Sequence, residues 1–213
     1  MANCCGHIND GGRLFSRFAR LSRCCYNLRG LGKSQQFFVN SLNRLGIANT
    51  QLIEIGCGVG ALHQTLLLQG AGFAVGVDLA DNMLKQAQIA ADKNHLSACT
   101  RYMQGDFVQI VDSIEPADIM LMDKVVCCYP DADSLLKTAL SRTRRILAIT
   151  YPRNKWWVRA AVAVEAFFLK LSGSSFRSYV HSPLLISHII QCEGYVLESE
   201  YQDSAWISQI WLK

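Results

Sequence analysis

The stretch Gln51-Leu52-Ile53-Glu54-Ile55-Gly56-Cys57-Gly58-Val59-Gly60 reads as a short apolar strand running into a turn with three glycines. It ends where a helix, from about Ala61 to Gln69, can begin. Each glycine removes a Cβ where the chain must turn tightly or where a ligand must approach the backbone. The following helix would aim its free N–H groups and positive dipole end at a polar ligand. A second strand, Phe73-Ala-Val-Gly-Val-Asp78, closes on an acid about 20 positions on, where a nucleoside's ribose hydroxyls need a carboxylate. A third, Arg101-Tyr-Met-Gln-Gly-Asp106, closes on another.

Outward from this stretch, strands alternate with helices. Strands are predicted at Gln51–Ile55, Ala74–Val77, Thr100–Gly105, Ile119–Met122 and Arg145–Thr150. Helices are predicted at 34–45, 61–69, 81–93, 131–143 and 154–171. Short apolar runs between helical patterns imply buried parallel strands joined by right-handed crossovers. The tail, Gly194–Glu200 and Ala205–Leu212, reads as two strands pairing antiparallel at the sheet edge. The expected fold is α/β: a Rossmann-like, seven-stranded, mostly parallel sheet with an antiparallel C-terminal edge hairpin and helices on both faces. Residues 1–33 form an N-terminal helical arm, with Leu14, Phe15, Phe18, Leu21 and Cys25 at helical spacing, and 34–213 form the main domain.

The order Glu54-Ile-Gly56-Cys57-Gly58-Val-Gly60, Val77-Asp78-Leu79-Ala80, Asn82-Met83-Leu84, then Gly105-Asp106-Phe107 resembles the class I S-adenosylmethionine (SAM)-dependent methyltransferases. The resemblance covers roughly Leu45 to Leu212. It implies SAM as cofactor, with Glu54, Gly56, Cys57, Gly58 and Gly60 facing its methionine part. Asp78 and Leu79 would meet the ribose, Asp106 and Phe107 the adenine, and Asp123 would complete the cofactor site. A dinucleotide-dependent oxidoreductase is the rival, although that class spaces its glycines G-x-G-x-x-G where this chain has G-x-G-x-G. A methyltransferase-like protein that binds SAM without turnover is a second rival. Asp106 also reads as an ordinary helix cap.

In an open α/β sheet the ligand lies outside the strand carboxyl ends. The segments Asp123-Lys-Val-Val-Cys-Cys-Tyr-Pro130 and Thr150-Tyr-Pro-Arg153 should therefore meet the transferred methyl. Each holds a Tyr-Pro step, which keeps the tyrosine extended and stiffens the loop. A narrower resemblance joins Val126-Cys127-Cys128-Tyr129-Pro130 and Arg177-Ser-Tyr-Val-His181-Ser182 to the magnesium-protoporphyrin O-methyltransferases. A histidine precedes Tyr-Pro in that family, and Cys128 stands there in this chain. The resemblance implies catalytic roles for His181, Tyr26 and Cys128, with Tyr129, Tyr151 and Trp157 toward the substrate. Tyr26, Cys128, Tyr129, Tyr151 and His181 are expected to converge on one pocket, covered by the arm. The activity implied is in-line methyl transfer to a small, apolar or aromatic acceptor, with oxygen favoured as the methylated atom.

Half of the 213 residues are apolar and 18% are charged, which describes a compact chain with a large core. A formal net charge of +4 is too small and too dispersed for nucleic-acid binding. The first 25 residues carry no apolar secretion core, and no stretch reaches the roughly 18 uninterrupted apolar residues of a membrane span. A cytoplasmic protein acting on a small molecule is expected, its oligomeric state open. Nine cysteines, an odd count, argue for reduced thiols, and no metal site is expected. The three adjacent pairs Cys4-Cys5, Cys24-Cys25 and Cys127-Cys128 are expected to be mostly buried as small apolar residues. Cys4, Cys5, His7, Cys24 and Cys25 lack the paired C-x-x-C spacing of zinc ligands. Helix 154–171 is apolar around most of its circumference. Burial in the fold is its first reading, a lid over a flat apolar substrate its second, and peripheral membrane contact its third.

Overall fold

A computed structural model describes residues 4–171 and 173–213, with side chains from residue 10 onward. In chain order the elements are α1 (Cys4–Arg29), α2 (Lys33–Leu45), β1 (Gln51–Ile55), α3 (Ala61–Leu68), β2 (Phe73–Asp78), α4 (Asp81–Lys93) and β3 (Thr100–Gln104). There follow α5 (Phe107–Ile110), β4 (Ala117–Asp123), α6 (Ala132–Ser141), β5 (Thr143–Pro152), α7 (Trp156–Leu171), α8 (Pro183–Cys192), β6 (Val196–Gln202) and β7 (Trp206–Leu212).

The seven strands form one sheet in the order β3-β2-β1-β4-β5-β7-β6. Strands β1 to β5 are mutually parallel, and β7 runs antiparallel to both β5 and β6. The expected fold class and edge hairpin are therefore present. The order reverses between β1 and β4, so a crevice opens beyond their carboxyl ends.

Parallel strands covered on both faces must be apolar at successive positions, and the two-residue period divides those positions between two cores. Ile119 and Leu121 of β4 turn to one face and join Phe38, Leu42, Leu62 and Leu66 from α2 and α3. Met120 and Met122 turn to the other and join Leu135, Leu136, Ile186, Ile190 and Trp211. The last group draws on α8, for which the sequence reading names no element. Its start signal is nonetheless present: Ser182 is the N-cap, and Pro183 stands in the first turn.

Helix α7 corrects an expectation. Only Val158 of its 16 residues is buried, so the first reading of this helix, burial within the fold, does not hold. Cys24 and Cys25 are likewise exposed rather than packed, whereas Cys127 of the third pair is buried as expected. Cys4, Cys5 and His7 lie outside the residues whose side chains are described. Among the described residues no group of histidine, cysteine or acid side chains could hold a metal.

Candidate active site

Three left-handed glycines make the turn after β1. Gly56, Gly58 and Gly60 have φ of 67°, 53° and 77°, a region that costs any residue with a Cβ about 1–2 kcal/mol. The turn is bolted to β2, because Gly56 and Cys57 both donate their N–H to the Val77 carbonyl, at 2.8 and 3.0 Å. Gly60 then caps the N-terminus of α3.

Asp78, at the end of β2, holds this turn from the far side. One carboxylate oxygen accepts the Gly58 N–H at 2.8 Å and the other accepts the Ala80 N–H at 2.8 Å. Burial pushes its pKa above the ordinary 3.8, and these two N–H donors oppose the shift. Asp106 caps α5 through the Val108 N–H at 3.1 Å and accepts the Tyr129 hydroxyl at 3.1 Å. It is thus a helix cap and a cleft residue together. Asp123, at the end of β4, accepts the Ser34 hydroxyl at 3.2 Å.

These groups surround one cleft of about 820 Å³, part of it open to solvent. Gly56, Gly58, Asp78, Leu79, Asp106, Phe107, Asp123, Cys128 and Tyr129 all line it. Its walls are mostly apolar, with Ile55, Val77, Met83, Val125 and Leu135 between the acids, as small-molecule sites generally are. Phe15 from α1 and Lys124 also line it. Lys124 belongs to the segment 123–130 expected to meet the methyl group, whereas Phe15 is not among the expected site residues. Phe15 reads locally as one more member of a helical stripe, and only the docking of α1 brings it here.

Other expected site residues lie elsewhere. Cys57 and Gly60 shape the turn without lining the cleft; Cys57 is buried, and burial holds its thiol pKa well up. Glu54 is 3% exposed and its carboxylate accepts from the backbone N–H and Nδ1 of His63, so it does not reach the cleft. Burial raises its pKa, and the His63 hydrogen bond opposes the rise. His63 Nε2 in turn meets the Tyr102 hydroxyl at 3.0 Å, which Gln64 donates to at 2.9 Å. This closed polar chain beneath the glycine turn has no signature in the sequence, because its members are joined by folding alone.

Of the five residues expected to converge, two line the cleft and three do not. Tyr26 reaches the Thr65 hydroxyl of α3, at 3.4 Å. Tyr151 is 1% exposed within the core and donates to Gln209 at 2.9 Å, and burial pushes its hydroxyl up to about 12. His181 stacks on Tyr179 and places Nε2 2.9 Å from the Tyr129 carbonyl, so Nε2 carries the proton and donates there. It braces the cleft wall from behind. Trp157 donates to the Ser204 carbonyl at 3.3 Å and lines a second, apolar cavity with Trp206, Val158 and Val162. Cys127 lines this second cavity and its neighbour Cys128 the first, and the Lys124 ammonium, at the first, lies 5.3 Å from the ring centroid of Trp206, at the second.

Comparison with known proteins agrees with this geometry. A family model described as a methyltransferase domain matches residues 48–197. A ribosomal protein L11 methyltransferase of Ralstonia pickettii (strain 12J) is 28% identical over 117 residues; the match spans 50% of this chain but only 39% of that protein. Among solved structures, a magnesium protoporphyrin IX methyltransferase from Synechocystis PCC 6803 with bound SAH superposes with a TM-score of 0.71 at 17% identity. That match covers 94% of this chain and 98% of the other. A [4+2]-cyclase also superposes at 0.71, with 10% identity and coverage of 97% and 96%, so the fold by itself does not specify methyl transfer.

Proposed function

The chain belongs to the methyltransferase-domain family, with S-adenosylmethionine as its cofactor, and on that premise we propose that it methylates an ionised oxygen of a small acceptor with an apolar body. The observation that carries this reading is the cleft at the switch point, where the left-handed Gly56 and Gly58 and the acids Asp78, Asp106 and Asp123 ring an apolar space. Gly58 lets the backbone approach the methionine part, and Asp78 offers its remaining lone pairs to the ribose hydroxyls. Asp106 and Phe107 flank the adenine. Glu54 acts from beneath by holding His63 and the start of α3, instead of by direct contact.

SAM supplies an electrophilic methyl on a sulfonium. The chain's contribution is to hold the acceptor about 3 Å from that carbon and in line with the leaving sulfur. Lys124 lines the first cavity beside Trp206 of the second, where an ammonium can pin an anionic oxygen while Trp157 and Trp206 receive the apolar body. Among the described residues no histidine lines the cleft, and the His181 Nε2 proton is spent on the Tyr129 carbonyl. An acceptor that is already ionised, such as a carboxylate, needs no base and fits that lining.

A second reading is a SAM-binding protein without turnover, favoured by Tyr26 and Tyr151 lying away from the cleft. Calorimetric titration with SAM and with NAD, followed by measurement of S-adenosylhomocysteine release over a panel of apolar carboxylates, separates the readings. SAM binding with release on a carboxylate supports ours. SAM binding with no release on any acceptor class supports the second, and binding of NAD alone overturns both.

A further inference from the structure

Helix α7 presents Trp156, Ala160, Ala163, Val164, Phe167 and Leu171 as one stripe at spacings of three and four, and all six are exposed. Trp156, Phe168 and Leu171 keep 76%, 64% and 69% of their surface in solvent. Helix α1 carries a second such stripe, Phe18, Leu21, Cys25 and Leu28, also exposed. The segment that follows α7 is tied to α1. The Asp10 carboxylate accepts the N–H and hydroxyl of Ser175, just beyond α7, and Phe15 meets Phe176 edge-on at 5.4 Å. An outward apolar surface this extended marks an interaction site.

Charge says what covers it. The only acids in α1 and in residues 153–171 are Asp10, already engaged by Ser175, and Glu165. Against them stand Arg13, Arg17, Arg20, Arg29, Lys155, Arg159 and Lys170. Pairing with a second copy by two-fold symmetry would set this basic border against itself. Aromatic and aliphatic side chains bordered by arginine and lysine are instead the composition of helices that lie in a lipid headgroup layer. At about 1.5 Å per residue α7 is too short to span a bilayer, and no helix among the described residues is long and apolar enough to cross one. We propose that α7 and α1 together form a docking surface for an anionic lipid bilayer. The cleft borders this surface through Phe15.

The test is flotation of the full chain with vesicles of phosphatidylcholine alone or with about one-third phosphatidylglycerol, where the anionic vesicles should bind about ten-fold more protein at low salt. Raising salt to about 0.5 M should erase that preference. Replacing Phe167 and Phe168 by Asp, with folding checked by circular dichroism, should cut binding about ten-fold, since the apolar anchor is lost. Arg17→Glu with Arg20→Glu should remove the lipid preference. Absence of binding to anionic vesicles would overturn the proposal. So would a dimer in sedimentation that the Phe167→Asp, Phe168→Asp variant dissociates while vesicles go unbound.

Discussion

Asp78 accepts the Gly58 and Ala80 N–H groups, so it organises the glycine turn as well as facing the cleft. Asp78→Ala should therefore weaken SAM binding by about 1–3 kcal/mol, losing both a charged acceptor and the order it imposes. Calorimetry gives the affinity, and circular dichroism checks that the protein stays folded; an unchanged affinity would remove Asp78 from the site. The pH dependence has a definite sign. Burial raises the folded pKa above 3.8, so Asp78 takes up its proton at a higher pH than a free aspartate. SAM affinity should fall as pH drops through that raised value, and the fall should be absent in Asp78→Ala. The same shift means that ionising Asp78 costs the unliganded fold. Its contribution to stability is full below 3.8 and is lost as pH rises through the folded value.

The turn between β1 and α3 separates two uses of glycine. A Cβ built on Gly58 meets nothing within 4 Å, so it would stand in ligand space. A Cβ on Gly76 of β2 would come within 2.8 Å of the Cys57 sulfur and 2.9 Å of the Tyr102 ring, the ring held by His63 and Gln64. Gly58→Val should thus lower SAM affinity at least about a hundred-fold at a fold cost of about 1–2 kcal/mol from its left-handed φ. Gly76→Ala should do the reverse, destabilising by about 1–3 kcal/mol through overpacking while the folded fraction still binds. Thermal melts alongside titrations check both; matching losses in the two variants would refute the distinction. At this scale the sequence was legible wherever an element's signal is local. The glycine run, the acids closing β2 and β3, and the alternation of strands with helices are all short-range patterns. Helix α8 had local signals too, in Ser182 and Pro183, and was missed beside the stronger loop motif that precedes it.

Across the whole molecule, α1 is less a detachable cover than a wall of the site. Gly12 would meet the Leu79 carbonyl at 2.9 Å if it bore a Cβ, and Phe15 lines the cleft beside Asp78 and Leu79. Removing residues 1–30 should therefore weaken SAM binding by about 1–2 kcal/mol, the order of one aromatic side chain's burial, in addition to any loss of turnover. Titration of the truncated protein checks this; affinity equal to that of the full chain would show that the arm is only a cover. By itself the sequence determined the fold class, the family resemblance, and the glycine turn and strand-end acids Asp78, Asp106 and Asp123 that line the cleft. Those depend on turns, caps and strand ends, whose chemistry is written within a few neighbouring positions. Tertiary structure alone decided that Phe15 joins the cleft, that Tyr26 and Tyr151 leave it, and that Glu54 is spent on His63. It also decided that α7 faces outward. An apolar side chain looks the same in sequence whether it packs on its own core or waits for another surface, because only the approach of distant elements removes it from water.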